Sequence, residues 1–164
     1  MVKQILAGYD RVLRFVITWL MILLVIPVTL QIVSRYTELI PRYIWTEEAA
    51  RFLFIWIIMI GSILAVRDET HFNVDVLPKP KTARGKALAT LWVDLAILLM
   101  AAIFVWFGTA FVKFGYSQTS ELTGINMVFI FGSFLLAGVS WVAVVAERTI
   151  ANLPVLIGGA HGSR

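Results

Sequence analysis

The sequence predicts an all-α integral membrane protein with four transmembrane helices, both termini on the cytoplasmic side, and an amphipathic lead-in helix before the first span. Three observations predict it. Hydrophobic residues make up 60% of the 164 and charged residues only 15%, with a mean hydropathy of +0.87. A soluble domain has too little interior to hide that much apolar surface. Four charge-free runs stand out, at 15–34, 52–66, 95–112 (87–112 if Asp94 is tolerated) and 122–146. The basic residues are unevenly shared between the segments that flank these runs.

Residues 1–14 form the lead-in. Val2, Ile5, Leu6, Tyr9, Val12, Leu13 and Val16 recur at helical spacing, with Lys3, Gln4, Asp10, Arg11 and Arg14 turned away from them. Such a basic amphipathic helix is expected on the inner leaflet. Span 1 covers 15–34. A crossing needs about 20 apolar residues, and this run has them. It is too long for a signal-peptide core, and "RYTELIPR" follows where small residues would be needed for cleavage. Pro27 removes a backbone donor and predicts a bend.

An outer loop takes 35–45, and span 2 takes 46–67. Its apolar run reaches only ~22 Å at 1.5 Å per residue. The span is complete if Thr46 caps the helix and Arg51 and Arg67 snorkel toward the headgroups. Glu47 and Glu48 suit the positive end of the helix dipole, and Arg67 the negative end. The cytoplasmic loop, 68–86, contains the stiff basic turn "LPKPK". Span 3 is 87–112, the second outer loop 113–121, span 4 122–146 and the cytoplasmic tail 147–164. Ten Lys and Arg fall on the side of the termini: Lys3, Arg11, Arg14, Arg67, Lys79, Lys81, Arg84, Lys86, Arg148 and Arg164. Four, Arg35, Arg42, Arg51 and Lys113, fall on the other. The positive-inside rule therefore places both termini in the cytoplasm. The net charge of +4 belongs to those loops and does not imply a nucleic-acid partner.

Several chemistries are excluded by composition. With no cysteine there is no disulfide, thiolate metal site or Cys nucleophile. The two histidines, His71 and His161, lie outside the apolar runs, so a bis-histidine haem has no ligands within the bundle. No Ser/His pair, metal cluster or phosphate loop is present, so the chain is not expected to be an enzyme or to hold a cofactor. His71 and Asp75 are two ligands, not a metal site. Phe72, Val74 and Val76 alternate with polar residues, as in an extended or interfacial segment.

What remains are contact surfaces. In "WTEEAARFLFIW" (45–56), Glu47 and Glu48 precede Arg51 in the favourable acid-first order. Down the same face follow Phe54, Ile58, Gly61 and Ala65, and small-xxx-small spacing lets helices approach closely in lipid. That seam faces either another helix of this chain or a partner. Lys113 and Glu121 bracket an outer loop open to an external partner. Ser133, Ala137 and Ser140 share a packing face of span 4. Asp94 is the one acid near a span interior. It reads either as an interfacial carboxylate with water access or as an ion site.

Residues 45–77 also resemble a known family. "WTEEAARFLFIW" followed by "GSILAVRDETHFNVDVL" is similar to the signature of the small membrane subunit of TRAP (tripartite ATP-independent periplasmic) transporters, the DctQ-like family. Trp45, Glu47, Glu48, Arg51, Trp56, Gly61, Arg67, His71 and Asp75 match its pattern. Near "TGINMVF" the family often carries a proline where Asn126 stands. The resemblance implies a scaffold subunit paired with a large membrane subunit, which holds the substrate and sodium sites and works as an elevator. A soluble periplasmic binding protein delivers an organic anion, such as a carboxylate, sialic acid, sugar acid or sulfonate. It further implies that those nine residues, with Ala65, face the large subunit and the binding protein, in the bacterial inner membrane. A rival reading is a self-sufficient proton-coupled transporter using Asp94. A membrane redox or enzyme subunit is a weaker rival, lacking ligands and nucleophiles.

Overall fold

The computed structural model describes residues 2–37, 41, 43–68 and 83–157, and side chains within 6–37, 41, 43–68 and 90–150. Four helices account for most of them: α1 (Val2–Tyr36), α2 (Trp45–Arg67), α3 (Ala83–Tyr116) and α4 (Val128–Ile157). Each contains a segment long and apolar enough to cross a membrane: Leu6–Tyr36, Trp45–Arg67, Thr90–Tyr116 and Val128–Ile150. Among the described residues the β-structure is one isolated bridge, Thr119 to Asn126. This is a multi-pass, all-α membrane protein.

The lead-in and span 1 are one helix. α1 runs 35 residues through Pro27, about 52 Å at 1.5 Å per residue, well beyond the roughly 30 Å of a hydrocarbon core. The apolar face of the lead-in is turned onto the protein: Leu13 is buried among Ile60, Ile63 and Leu64 of α2 and Ala137 of α4, with Tyr9 and Val16 packed beside it. Helix–helix contact thus takes the face that would otherwise meet the leaflet.

α2 begins earlier than a Thr46 cap allows. Its N-cap is Ile44, with no side-chain cap bond. The buried Thr46 hydroxyl instead donates back to the Tyr43 carbonyl at 2.6 Å. α4 begins later than 122, at Val128. Residues 117–127 are charge-poor but make a closed turn. The Ser120 N–H donates to the Ile125 carbonyl and the Met127 N–H to the Gln118 carbonyl, at 2.8 and 3.0 Å. Gly124 takes φ +67°, a left-handed conformation open to glycine at little cost. Asn126 then caps α4: its Oδ1 accepts the Val128 N–H at 2.9 Å and its Nδ2 donates to the Tyr116 carbonyl at 3.2 Å. Asparagine is a preferred residue for that task.

The helices pack in the order α1–α2–α4–α3. α4 lies between α2 and α3, and α1 and α3 are the edges. In lipid there is little hydrophobic drive between helices, so close backbone approach and van der Waals contact hold them. α3 and α4 meet through glycines. A Cβ on Gly108 would stand 3.3 Å from Leu135 Cα, and one on Gly138 3.0 Å from Phe104 Cβ and 3.2 Å from the Ala101 carbonyl. Phe104 stacks on Trp141 at 5.0 Å between ring centroids. A second buried cluster, Val66, Ile97, Val144 and Val145, joins α2, α3 and α4 at the end of the bundle where both termini lie (the terminal end).

Candidate functional site

Among the described residues the charged side chains gather toward the two ends of the bundle. At the far end, α2 opens with the motif's three charges, and the structure separates their roles. Glu48 Oε2 accepts the Thr123 N–H at 2.8 Å, and the Ser120 and Thr123 hydroxyls lie 3.0 Å apart beside it. Glu48 therefore fastens the start of α2 to the α3–α4 turn. Glu47 and Arg51 form an i,i+4 pair at 3.4 Å with side chains 72% and 64% exposed. Trp45 and Phe54 are exposed on the same helix. The charges that sequence groups together are thus one internal tie and one outward-facing pair. Lys113 precedes the turn and Glu121 lies within it, and both are exposed.

The middle of α2 faces inward. Trp56 packs on the Leu13–Ile60–Ile63 cluster. Gly61 is in contact with α1, where its Cβ would be 3.5 Å from Ile17 Cδ1. The side of the seam centred on Gly61 therefore receives a helix of this chain. Ala65 is partly buried one turn further on.

At the terminal end, the last residues of α2 hold the other three helices. Arg67 Nη1 donates to the Leu6 carbonyl at 2.6 Å, and its Nε lies 3.6 Å from Asp10 Oδ1. Arg14 Nη2 reaches both carboxylate oxygens of Asp68 at 2.7 Å, and its Nε donates to Asp10 at 3.1 Å. These bonds lash α1 to α2. Asp94 is 3% exposed, so within the chain its carboxylate is closed off from the water access expected of it. Arg148 of α4 donates to its Oδ1 at 2.9 Å and also to the Val66 carbonyl of α2. One guanidinium therefore ties α3, α4 and α2 together. The Tyr9 and Ser140 hydroxyls, 2.8 Å apart, join α1 to α4.

Arg148 was missed as a partner for Asp94. The signal was available: in antiparallel spans, an acid just inside the start of span 3 and a base just past the end of span 4 lie at one depth. The Asp10–Arg14 pair has the i,i+4 spacing that sequence shows, but the pairs Arg14–Asp68 and Arg67–Asp10 cross helices and depend on depth rather than on spacing. His71 and Asp75 lie outside the described residues. Among the described residues, no group of three or more His, Cys, Asp or Glu is placed to hold a metal.

The charges of Asp94 and Arg148 are thus committed to contacts between helices of this chain. The model of the DctQ component of tripartite ATP-independent periplasmic transporters matches residues 24–154. The chain belongs to this family. Membership makes it a small permease subunit of a TRAP transporter, not an enzyme. A Haemophilus influenzae protein assigned as a TRAP transporter small permease is 23% identical over 97% of this chain and 98% of its own length. The sialic acid TRAP transporter small permease protein SiaQ of Vibrio cholerae is 23% identical, over 85% and 80% of the two chains. The isethionate TRAP transporter permease protein DctMQ of Oleidesulfovibrio alaskensis is 30% identical over 107 residues. That match takes in 61% of this chain but only 17% of the relative, so the TRAP small-subunit region there is a minor part of a much longer polypeptide.

Proposed function

We propose that this chain is the fixed scaffold of a sodium-driven TRAP importer in the bacterial inner membrane, with the terminal end of the bundle in the cytoplasm. It forms a stable heterodimer with a large membrane subunit, which holds the substrate and sodium sites and moves the substrate. A periplasmic binding protein docks transiently on the far end, where Trp45, Glu47, Arg51 and the 117–127 turn are exposed. The cargo is an organic anion; sialic acid and isethionate, named for relatives, are the first candidates. The observation that carries the reading is the Asp94–Arg148 pair. The intramembrane carboxylate, which a self-sufficient proton-coupled transporter would need, is buried against a guanidinium that bridges three helices.

Reconstitution tests it. Proteoliposomes containing both membrane subunits, supplied with loaded binding protein and an inward sodium gradient, are expected to accumulate substrate. Vesicles containing this chain alone are expected to accumulate none. Uptake by the chain alone, abolished by Asp94→Asn, would overturn the scaffold reading in favour of a proton-coupled transporter.

A further inference from the structure

Among the described residues each helix leaves apolar side chains exposed, on α2 Phe54 and Ile58 beside Arg51, and the faces of the other three differ in shape. α1 and α3 are edges, and their free faces project bulky side chains: Phe15 and Trp19 on α1 are 64% and 56% exposed, and Trp92 and Trp106 on α3 are 72% and 77% exposed. The free face of α4 belongs to a central helix. It runs along Phe129, Gly132, Leu136, Val139, Ala143 and Ala146, at alternating spacings of three and four, for about 25 Å. A groove of about 600 Å³ follows it, walled at the terminal end by Leu6 and Tyr9 of α1.

The glycine in this groove has no internal reason to be small. Gly108, Gly115 and Gly138 are each pressed against a neighbouring helix or turn, whereas a Cβ on Gly132 would meet nothing within 4 Å. Gly also costs helix stability relative to Ala. A concave apolar seam with an unexplained glycine, and Ala143 and Ala146 further along, has the form that admits a second helix at close range in lipid. α3 also carries a groove of about 500 Å³, beside Trp106 and Thr109, but no glycine lines it. In the Oleidesulfovibrio relative the matched region is 17% of one longer permease polypeptide, so there the counterpart of most of this chain is covalently joined to more permease.

We infer that the α4 groove seats a transmembrane helix of the large membrane subunit, with Gly132 at the closest approach. This rests on the scaffold reading above and names the surface through which it acts. The absence of cysteine provides the test. Leu136→Cys and Val139→Cys give single-thiol chains, to be labelled with a benzophenone maleimide and photolysed in membranes that co-express the large subunit. Leu99→Cys on α3 serves as the edge control. Adducts at the mass of the heterodimer are expected from positions 136 and 139 and not from 99. Gly132→Leu, whose Cβ would meet nothing of this chain within 4 Å, fills the groove and is expected to lower the co-purifying large subunit about tenfold, with the helical circular dichroism of the chain unchanged.

Co-purification of the unmodified pair without heterodimer adducts from 136 and 139 would overturn the inference and leave the scaffold reading standing. Adducts only to lipid, or to a second copy of this chain, would overturn it in the same way, as would unchanged co-purification of Gly132→Leu. Failure of the unmodified chain to retain any large subunit would overturn both.

Discussion

Asp94 and Arg148 set the most consequential residue-scale interaction. Removing one member of a buried pair strands the other charge, at about 3–5 kcal/mol, whereas replacing both by apolar groups is often neutral. Arg148→Ala is therefore expected to lower the melting temperature of the purified chain sharply. Asp94→Leu combined with Arg148→Leu should recover most of the loss. A double variant no more stable than the single one would show that the Val66 carbonyl, rather than Asp94, is the partner that matters. At the far end, the two adjacent glutamates should behave differently. Glu48→Ala leaves the Thr123 N–H only its longer bond to the Ser120 hydroxyl, at 3.4 Å, so amide exchange at Thr123 should accelerate. Glu47→Ala should leave exchange and melting unchanged, since exposed ion pairs contribute little. Its effect, if the outward pair meets a partner, belongs to the assembled transporter.

Among the elements, the α3–α4 pair depends on missing side chains. A Cβ on Gly115 would lie 2.6 Å from Phe131 Cδ2 and 3.0 Å from the Val128 nitrogen. The ring can rotate away but the backbone of α4's first turn cannot. Gly115→Ala is expected to destabilise by about 1–3 kcal/mol, read as a lower melting temperature. Gly8 in α1 has nothing within 4 Å of the same position. There, Gly8→Ala should stabilise by roughly 0.5–1 kcal/mol through helix propensity alone. The same substitution thus has opposite signs on two helices, and surrounding contacts decide which. α2 shows a related division. Gly61 in mid-helix serves packing against α1, while the exposed Glu47, Arg51 and Phe54 leave its first turns open to contacts outside the chain.

Over the whole molecule, helices that pack in the order α1–α2–α4–α3 leave much apolar surface uncovered. A partner that binds only the folded chain stabilises it by mass action. The heterodimer is therefore expected to melt at a higher temperature than the isolated chain, and the difference should shrink when the α4 groove is filled by Gly132→Leu. Equal melting temperatures for chain and complex would mean that the subunits do not support one another's folds.

Much of this was legible in the sequence because lipid is a demanding solvent. A span must satisfy its own backbone polar groups and be apolar over a fixed length, so hydropathy alone located four helices. The motif around Trp45, Glu47, Glu48 and Arg51 located the family. Boundaries were less legible where polarity and helicity part company: residues 122–127 carry no charge, yet Gly124 and Asn126 fold them into a turn and cap. The sequence by itself determined the class, the number of spans and the family. The tertiary structure decided which helix each polar group serves. Arg148 and Asp94 are 54 positions apart, as are Arg14 and Asp68, and Glu48 and Thr123 are 75 apart. Such partners meet because antiparallel helices bring distant residues to one end of the bundle, and no local periodicity records that meeting.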